Sequence, residues 1–360
     1  MRFPEFSGEW KKCTINDLAT VVGGGTPDTT VKSYWGGDIQ WFTPSEIGKN
    51  KYVDFSKRTI TRDGLDNSSA KLLPLHTILL SSRATVGECS IASNECTTNQ
   101  GFQSLIAKQC NIDFLYYLIQ TKKKDLIRNA CGSTFLEISA NEIRKIKVAV
   151  PVQNEQEQIA KLLSLIDERI ATQNKIIEKL QSLIKGLAAQ LTQSGTPNIR
   201  LCDCLECHSS TLQENCVSVT GSYPVYGATG LIGYTNNYAY NGESILIVKD
   251  GSGVGSLSYV NDHFSVIGTL NYLTAKENYS ILYLYYALMA FNFTPYITGM
   301  AIPHIYFKDY GKAKLFYPSI EKRIRIASLL HNIEQKLVVE QNLVISLSAQ
   351  KSYLLRMLFI

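Results

Sequence analysis

Two stretches of the chain carry apolar residues at alternating steps of four and three positions. The first series starts at Ile159 and the second at Ile326. Such steps place the apolar side chains on one face of an α-helix and form the seam of a coiled coil. A polar residue interrupts each series, Gln173 in the first and Glu340 in the second. The predicted seam residues are Ile159, Leu163, Ile166, Ile170, Gln173 and Ile177, and then Ile326, Leu330, Ile333, Leu337, Glu340 and Val344.

The two helical stretches belong to an internal duplication. Pro151 precedes the first helix and Pro318 the second, and the segments 156–167 and 323–334 match at the same offset of 167 residues. Weaker matches extend upstream, where residues 78–80 align with 245–247. A repeat on this scale determines the architecture. The sequence therefore predicts two related α+β units of mixed β-sheet and short helices, each followed by a long helix.

The repeat predicts four segments. Residues 1–150 form a first globular domain, 151–195 a first long helix, 196–317 a second globular domain and 318–360 a second long helix. A domain inserted between two seams lets the helices run antiparallel and pair with each other as a coiled-coil rod, with Gln173 and Glu340 fixing the register. A first helix from about residue 155 to 192 would be roughly 57 Å long, which suits a spacer. The alternative is that each helix packs on its own globular domain.

Composition places the chain among packed globular proteins. It has 360 residues, of which 45% are hydrophobic and 10% aromatic. The N-terminus has no apolar leader core, and no apolar run reaches the roughly 20 residues of a membrane helix. We therefore expect a cytoplasmic protein with no membrane association. The net charge of +5 permits nucleic acid binding without demonstrating it.

The nine cysteines are scattered, which favours free thiols over a disulfide framework. The segment 204–208 has the Cys-x-x-Cys-His spacing of haem attachment, and the surrounding cluster could hold zinc. A zinc site would need a second spaced pair of ligands, and haem attachment would need export. We predict no metal and an alternating strand that contains Cys202, Cys204, Cys207, His208 and Cys216.

Motifs for catalysis are absent. The glycines at 23–25 are not followed by Gly-Lys-Ser/Thr, so they do not form a nucleotide-triphosphate loop. The glycines at 251–255 follow a strand-like run and predict a hairpin turn rather than a dinucleotide site. No amino-methyltransferase, nuclease, zinc-protease or serine-hydrolase motif occurs. The chain is therefore expected to bind rather than to catalyse.

Several further segments form a characteristic set. In the first unit they are Gly-Gly-Thr-Pro at 24–27, the aromatic and glycine run at 34–39, Thr-Asn-Gln at 98–100 and the helix start at 151–160. In the second unit they are the segments 223–227 and 232–235. The first group resembles the specificity subunits of type I restriction-modification systems, and the second group resembles the second recognition domain of that family. The resemblance covers residues 10–358 and includes the order domain, helix, domain, helix.

The resemblance implies a non-catalytic DNA-recognition subunit with two target recognition domains, each of which reads one half of a split target on double-stranded DNA. The long helices would set the spacer and dock modification (methyltransferase) subunits. Those subunits would methylate adenine with S-adenosylmethionine, and restriction subunits would translocate and cleave DNA with ATP and magnesium. This chain itself would bind no cofactor.

Candidate DNA-binding residues are glycine loops, basic side chains for phosphates, and amide or aromatic groups for bases. In the first domain they are Gly23, Gly24, Gly25, Thr26, Lys32, Tyr34, Trp35, Ser82, Arg83, Asn99 and Gln100. In the second domain they are Tyr223, Tyr226, Lys249, Ser252 and His304. The aromatic residues are equally consistent with core or turn packing. Arg83 is the strongest single candidate, and its counterpart at an offset of 167 is Asp250.

Three other interpretations make different demands on the sequence and on the behaviour of the protein. A coiled-coil scaffold that binds proteins would show no salt-dependent affinity for DNA, whereas a DNA-binding protein would lose affinity steeply as salt rises. A stand-alone nuclease or methyltransferase would need motifs that the sequence lacks. An orphan or inactive specificity subunit would have the same sequence features.

The seam predicts the effect of a proline in the first helix. Ile177→Pro removes a backbone donor and introduces a clash in the helix interior, at a cost of roughly 3 kcal/mol or more. Denaturation would measure that loss, and mapping of the methylated target would measure the spacer. If this variant kept the same spacer specificity, the helix would not be what sets the spacer.

Overall fold

The computed structural model describes residues 2–132 and 136–359. The chain forms two compact units. Unit 1 consists of Met1–Gln173 and Leu343–Ile360, and unit 2 consists of Asn174–Asn342. Each boundary falls inside a predicted long helix, so each unit contains parts of both helices.

The described residues of unit 1 form ten strands in three sheets. A five-stranded mixed sheet has the order β2-β9-β6-β7-β4, a three-stranded sheet has the order β5-β3-β8, and β1 pairs with β10. The strands are β1 (Lys11–Thr14), β2 (Ala19–Gly23), β3 (Trp35–Phe42), β4 (Tyr52–Val53), β5 (Arg58–Ile60), β6 (Ile78–Leu80), β7 (Cys89–Ala92), β8 (Cys96–Thr98), β9 (Gln103–Ala107) and β10 (Lys147–Val150).

Unit 1 also contains short helices. They are α1 (Ile15–Leu18), α2 (Arg62–Asp66), α3 (Ile112–Thr121), α4 (Lys123–Arg128) and α5 (Ala140–Lys145). Four of them, α1, α3, α4 and α5, contribute to the core of the larger sheet, whereas α2 packs on the three-stranded sheet through Leu65. The Asn111 side chain caps α3 by accepting from the Phe114 amide at 3.0 Å. Helix α3 buries its apolar residues in the core that β6, β7 and β9 also supply.

Unit 2 repeats this plan with a larger sheet. Its six-stranded sheet has the order β12-β17-β15-β16-β13-β14, and β11 pairs with β18. The strands are β11 (Ile199–Arg200), β12 (Leu205–Ser209), β13 (Tyr223–Gly227), β14 (Gly230–Thr235), β15 (Tyr240–Val248), β16 (Leu257–Val266), β17 (Leu270–Ala275) and β18 (Lys314–Leu315). Because β15 and β16 are antiparallel neighbours, the glycines at 251–255 form the predicted hairpin turn.

The short helices of unit 2 are α7 (Leu201–Cys204), α8 (Ile281–Met289) and α9 (Phe307–Tyr310). Ser280 caps α8 by accepting from the Tyr283 amide at 3.3 Å, as Asn111 caps α3 in unit 1. Helix α8 is buried against the six-stranded sheet.

Backbone pairing shows the duplication directly. In unit 1, Arg83 is bridged to Glu137, and in unit 2, Asp250 is bridged to His304. Both members of the second bridge lie 167 residues after those of the first. The repeat is therefore one of backbone structure, although the paired side chains differ.

The long helices are α6 (Gln153–Thr192) and α10 (Ile320–Leu358). Within unit 1, Lys351 of α10 pairs with Asp167 of α6 at 2.6 Å. Within unit 2, Ala188 near the end of α6 shares a core with Ile326 and Leu330 near the start of α10. Each unit thus joins the beginning of one long helix to the end of the other, as an antiparallel helix pair requires.

The first turns of each seam also pack on the adjoining sheet and helices. Ile159 and Leu163 are buried in the core of unit 1, and Ile326 and Leu330 are buried in that of unit 2. The two arrangements considered from sequence therefore coexist, because the same helix face contacts a globular core and the other helix. The seam position Gln173 is 3% exposed, and Glu340 is half-buried.

The cysteine-rich segment differs in part from the predicted strand. Cys202 and Cys204 belong to α7, whereas Cys207 and His208 belong to β12, and Cys216 lies in a short 3-10 turn. The helical turn forms because Asp203 lies in its first turn and accepts from the Arg200 amide. All nine cysteines are free. In residues 2–132 and 136–359, no group of three or more His, Cys, Asp or Glu could hold a metal ion.

None of the helices in the described part of the chain combines the length and apolar character that crossing a bilayer requires.

Candidate nucleic-acid interface

The glycine loop of unit 1 lies against the end of β8. The Gly25 amide donates to the Thr98 carbonyl at 2.8 Å. A β-carbon on Gly24 would lie 2.0 Å from the Asn99 carbonyl oxygen, and one on Gly25 would lie 2.3 Å from the Ala70 nitrogen. Glycine is therefore required here by close backbone approach. Gly23 ends β2 and supplies the start of the loop.

This packing brings predicted residues from three segments together. The Thr26 hydroxyl donates to the Gln100 amide oxygen. The Asn99 side chain accepts from the Gly101 amide at 2.8 Å, and the Ser82 amide donates to the Gly101 carbonyl at 2.8 Å. Gln100 is exposed and Asn99 is half-buried. The two amide side chains, of the kind that read base edges, are thus held beside the glycine loop.

Arg83 and Ser82 are adjacent but differ in accessibility. The Arg83 guanidinium lies 3.6 Å from the Glu137 carboxylate, and both side chains are about half exposed. Ser82 is 0% exposed, and its hydroxyl has no hydrogen-bond partner among the described residues. The charge at this turn is therefore at the surface, whereas the serine side chain is not.

The aromatic residues of unit 1 have packing roles. The Arg58 guanidinium lies over the Trp35 ring, 3.6 Å from its centroid, and the Trp35 indole donates to the Asp28 carbonyl at 3.1 Å. The Tyr34 backbone lies against Gly64, where a β-carbon would meet the Tyr34 carbonyl at 2.5 Å. Lys32 is exposed.

Arg58 is a functional candidate that the sequence analysis missed. Its side chain is exposed, and no carboxylate of the described residues forms an ion pair with it. Arginine held flat on an aromatic ring keeps its charge available to a phosphate. Only the strand pairing of β3 with β5 brings it next to Trp35, so no local motif could have revealed it.

In unit 2, Lys249 occupies the backbone position of Ser82. The Ile305 amide donates to the Lys249 carbonyl at 2.9 Å, as the Ile138 amide does to the Ser82 carbonyl. Ser252 is exposed in the β15–β16 turn. This turn is joined to the segment of His304, because the Gly251 amide donates to the Pro303 carbonyl at 2.9 Å.

The His304 ring lies close to its own segment. Its Nδ1 is 3.2 Å from the Ile302 carbonyl, and its ring is 5.0 Å from that of Tyr306. Lys249, Ser252 and His304 therefore form one group around the turn, equivalent in position to the Arg83 turn of unit 1.

The two tyrosines of β13 differ in environment. Tyr223 packs against Tyr238 and His263, with ring centroids 4.9 and 5.6 Å away. Tyr226 packs on Phe264, and burial raises its pKa. Tyr238 is 47% exposed, so the Tyr223 cluster presents an aromatic surface suited to stacking or sugar contacts, whereas Tyr226 mainly completes the core.

These observations define a class of protein: a duplicated, two-unit α+β chain whose equivalent turns carry different polar side chains. The chain belongs to the family described as the type I restriction modification DNA specificity domain, whose sequence model matches residues 7–182 and 199–347.

Similar proteins in this family span different shares of the chain. The MjaIX specificity subunit of Methanocaldococcus jannaschii is 39% identical over 48% of this chain and 42% of its own length. The EcoprrI specificity subunit of Escherichia coli is 25% identical over 91% of this chain and 87% of its own length. The chain thus spans less than half of the first of these relatives.

Solved structures share the fold. The S subunit of a type I restriction-modification system from M. genitalium has a TM-score of 0.66 at 19% identity and covers 100% of this chain and 99% of its own. A chain from a study of type I R-M complex assembly has a TM-score of 0.58 at 14% identity, with 98% coverage of both chains.

The close approach at Gly24 generates a stability prediction. Gly24→Ala should lower the free energy of unfolding by about 1–3 kcal/mol, because the new methyl group collides with backbone at Asn99. Gly186→Ala is the matched control, since a β-carbon there meets nothing within 4 Å and alanine favours the helix by about 0.5–1 kcal/mol. Urea denaturation measures both variants. Equal stability of the two would show that the loop is not held against β8.

Proposed function

We propose that this chain is the sequence-specific DNA-binding specificity subunit of a type I restriction-modification complex and that each unit reads one half of a bipartite target. The observation that carries the proposal is the pair of equivalent turns. One backbone arrangement presents Arg83 with Glu137 in unit 1 and Asp250 with His304 in unit 2. A common frame with different side chains is what recognition of two different half-sites needs.

Unit 1 contains groups for both kinds of DNA contact, and unit 2 contains a basic group for phosphate. Lys32 and Arg58 in unit 1 and Lys249 in unit 2 would bind phosphates, which position the protein without reading sequence. Asn99 and Gln100 would reach base edges, because a carboxamide pairs in two ways with adenine. Arg83 serves either role.

We infer the partners from the family, because no contact among the described residues of this chain identifies them. We propose that modification subunits dock on α6 and α10 and methylate adenine with S-adenosylmethionine. Restriction subunits would supply ATP- and magnesium-dependent translocation and cleavage in the cytoplasm. The long helices would then set the spacer between the half-sites, and this chain would direct the reactions without performing them.

Methylation mapping by single-molecule sequencing tests the proposed function. The comparison is between cells with and without this gene that carry the same modification subunit. A split motif with methyladenine in both halves should be present only when the chain is expressed. An unchanged methylome in cells that express the chain would contradict the proposal and favour a scaffold or an inactive subunit.

Replacement of Arg83 tests the candidate interface. Arg83→Ala should weaken binding of target duplexes by the assembled complex by about 1–3 kcal/mol. A loss for all sequences, with a smaller salt dependence, indicates a phosphate contact, and a loss of discrimination at one base pair indicates a base contact. The control is Arg128→Ala, since that side chain is 77% exposed and also pairs with an acid, Asp125. Unchanged binding by Arg83→Ala would remove this residue from the interface.

A further inference from the structure

Unit 2 contains an open cleft of about 490 Å³. This volume falls within the range of ligand pockets. Two carboxylates, a histidine and several polar and apolar side chains line it, and neither lysine nor arginine is among them. The lining residues are Glu243, Tyr259, Asn261, Leu282, His331, Glu334, Gln335 and Val338.

The equivalent space in unit 1 is filled by a lysine. Lys51, which directly precedes β4, is 2.7 Å from the Asp113 carboxylate and 2.6 Å from the Ser164 hydroxyl. Its ammonium group lies 5.0 Å from the centroid of the Tyr117 ring. The Lys51 side chain is only 10% exposed, so a buried cation completes this part of unit 1.

Strand register establishes that the two spaces correspond. Ile78 pairs with Ile91 in unit 1, and Ile245 pairs with Tyr259 in unit 2. On its other side, Ile91 is the partner of Tyr52 in the parallel strand β4. No strand of the described chain pairs with Tyr259 on that side, because β13 joins β16 only at its far end.

The helix residues around the two spaces also correspond. By the offsets of the repeat, Glu334 replaces Asp167, His331 replaces Ser164 and Leu282 replaces Asp113. Unit 2 therefore keeps the helix carboxylate, but it has neither the strand nor the lysine that lie beside it in unit 1.

Among the described residues, tyrosine hydroxyls are the hydrogen-bond partners of the cleft carboxylates. Glu334 accepts from the Tyr285 and Tyr286 hydroxyls at 2.9 and 2.6 Å, and Glu243 accepts from the Tyr259 hydroxyl. Across residues 2–132 and 136–359, no basic side chain forms an ion pair with either glutamate. Hydroxyl donors bring no positive charge to either carboxylate.

We propose that this cleft binds an extended segment of a partner protein that adds to the free edge of β16 and places a lysine or arginine between Glu243 and Glu334. The segment would run parallel to β16, as β4 runs parallel to β7. Main-chain hydrogen bonds to a strand edge give such a complex its affinity, and the side-chain pocket gives it specificity. The proposal does not depend on DNA recognition.

Unit 1 itself supplies the probe. The capped heptapeptide of residues 48–54, Gly-Lys-Asn-Lys-Tyr-Val-Asp, copies the segment that fills the space in unit 1. Fluorescence anisotropy with the full chain should show saturable binding. The same peptide with Lys51→Met, which keeps the charge of Lys49, should bind at least about tenfold more weakly, a difference of about 1.4 kcal/mol.

Variants of the chain locate the binding. Glu334→Gln should weaken binding of the peptide about tenfold. Glu243→Gln is a second test if the first variant folds poorly. Val338→Lys, at a position that is 44% exposed, should abolish binding because its own ammonium group would occupy the cleft. Glu321→Gln is the control, since that exposed carboxylate lies in the first turn of α10 and does not line the cleft.

Four results would overturn the proposal. The first is equal affinity of the chain for the Lys51 peptide and the Lys51→Met peptide. The second is an affinity for the Lys51 peptide that Glu334→Gln leaves unchanged. The third is an affinity for butylamine equal to that for the peptide, which would indicate a small-cation site. The fourth is self-association of the chain that Glu334→Gln abolishes, which would make a second copy the occupant. None of these results bears on DNA recognition, which the methylation map tests separately.

Discussion

A hydrogen bond from a buried tyrosine to a helix carboxylate fixes each long helix against its globular core. The Tyr117 hydroxyl donates to Asp167 at 2.7 Å, and the Tyr286 hydroxyl donates to Glu334 at 2.6 Å. Both tyrosines lie on a short helix whose apolar face is buried, so this bond sets the rotation of the long helix about its axis. Burial and the neighbouring carboxylate raise the pKa of both tyrosines, so each remains a donor at neutral pH.

The rotation of the helix determines what else its carboxylate can contact. One turn earlier, Leu163 and Leu330 are 0% exposed, so the seam faces the core while the acid lies at its margin. In unit 1, Asp167 also pairs with Lys351. In unit 2, Glu334 uses both oxygens for tyrosines. The two units thus share a framework and differ in the charges that surround it.

Much of the framework could be predicted from sequence because it depends on periodicity. Steps of four and three identify the buried face of both long helices, and the offset of 167 aligns Arg83 with Asp250, which the equivalent bridges confirm. Long-range pairing could not be predicted. Strand pairing buries Ser82 and brings Arg58 onto Trp35, and a missing strand opens the cleft beside Tyr259. Each depends on residues that are distant in the chain, so local patterns carry no signal for them.

Comparison of the two units distinguishes the contacts that both units keep from the positions whose side chains differ. The tyrosine–carboxylate bond, the helix caps and the turn hydrogen bonds recur in both units, because losing any of them would leave a buried polar group unpaired. Arg83 and Asp250 lie where equivalent main-chain bridges hold the backbone in both units. Substitution of Arg83 costs little stability, since its ion pair with Glu137 is half exposed. A protein that reads two half-sites with one framework can therefore diverge at these turns without losing its fold.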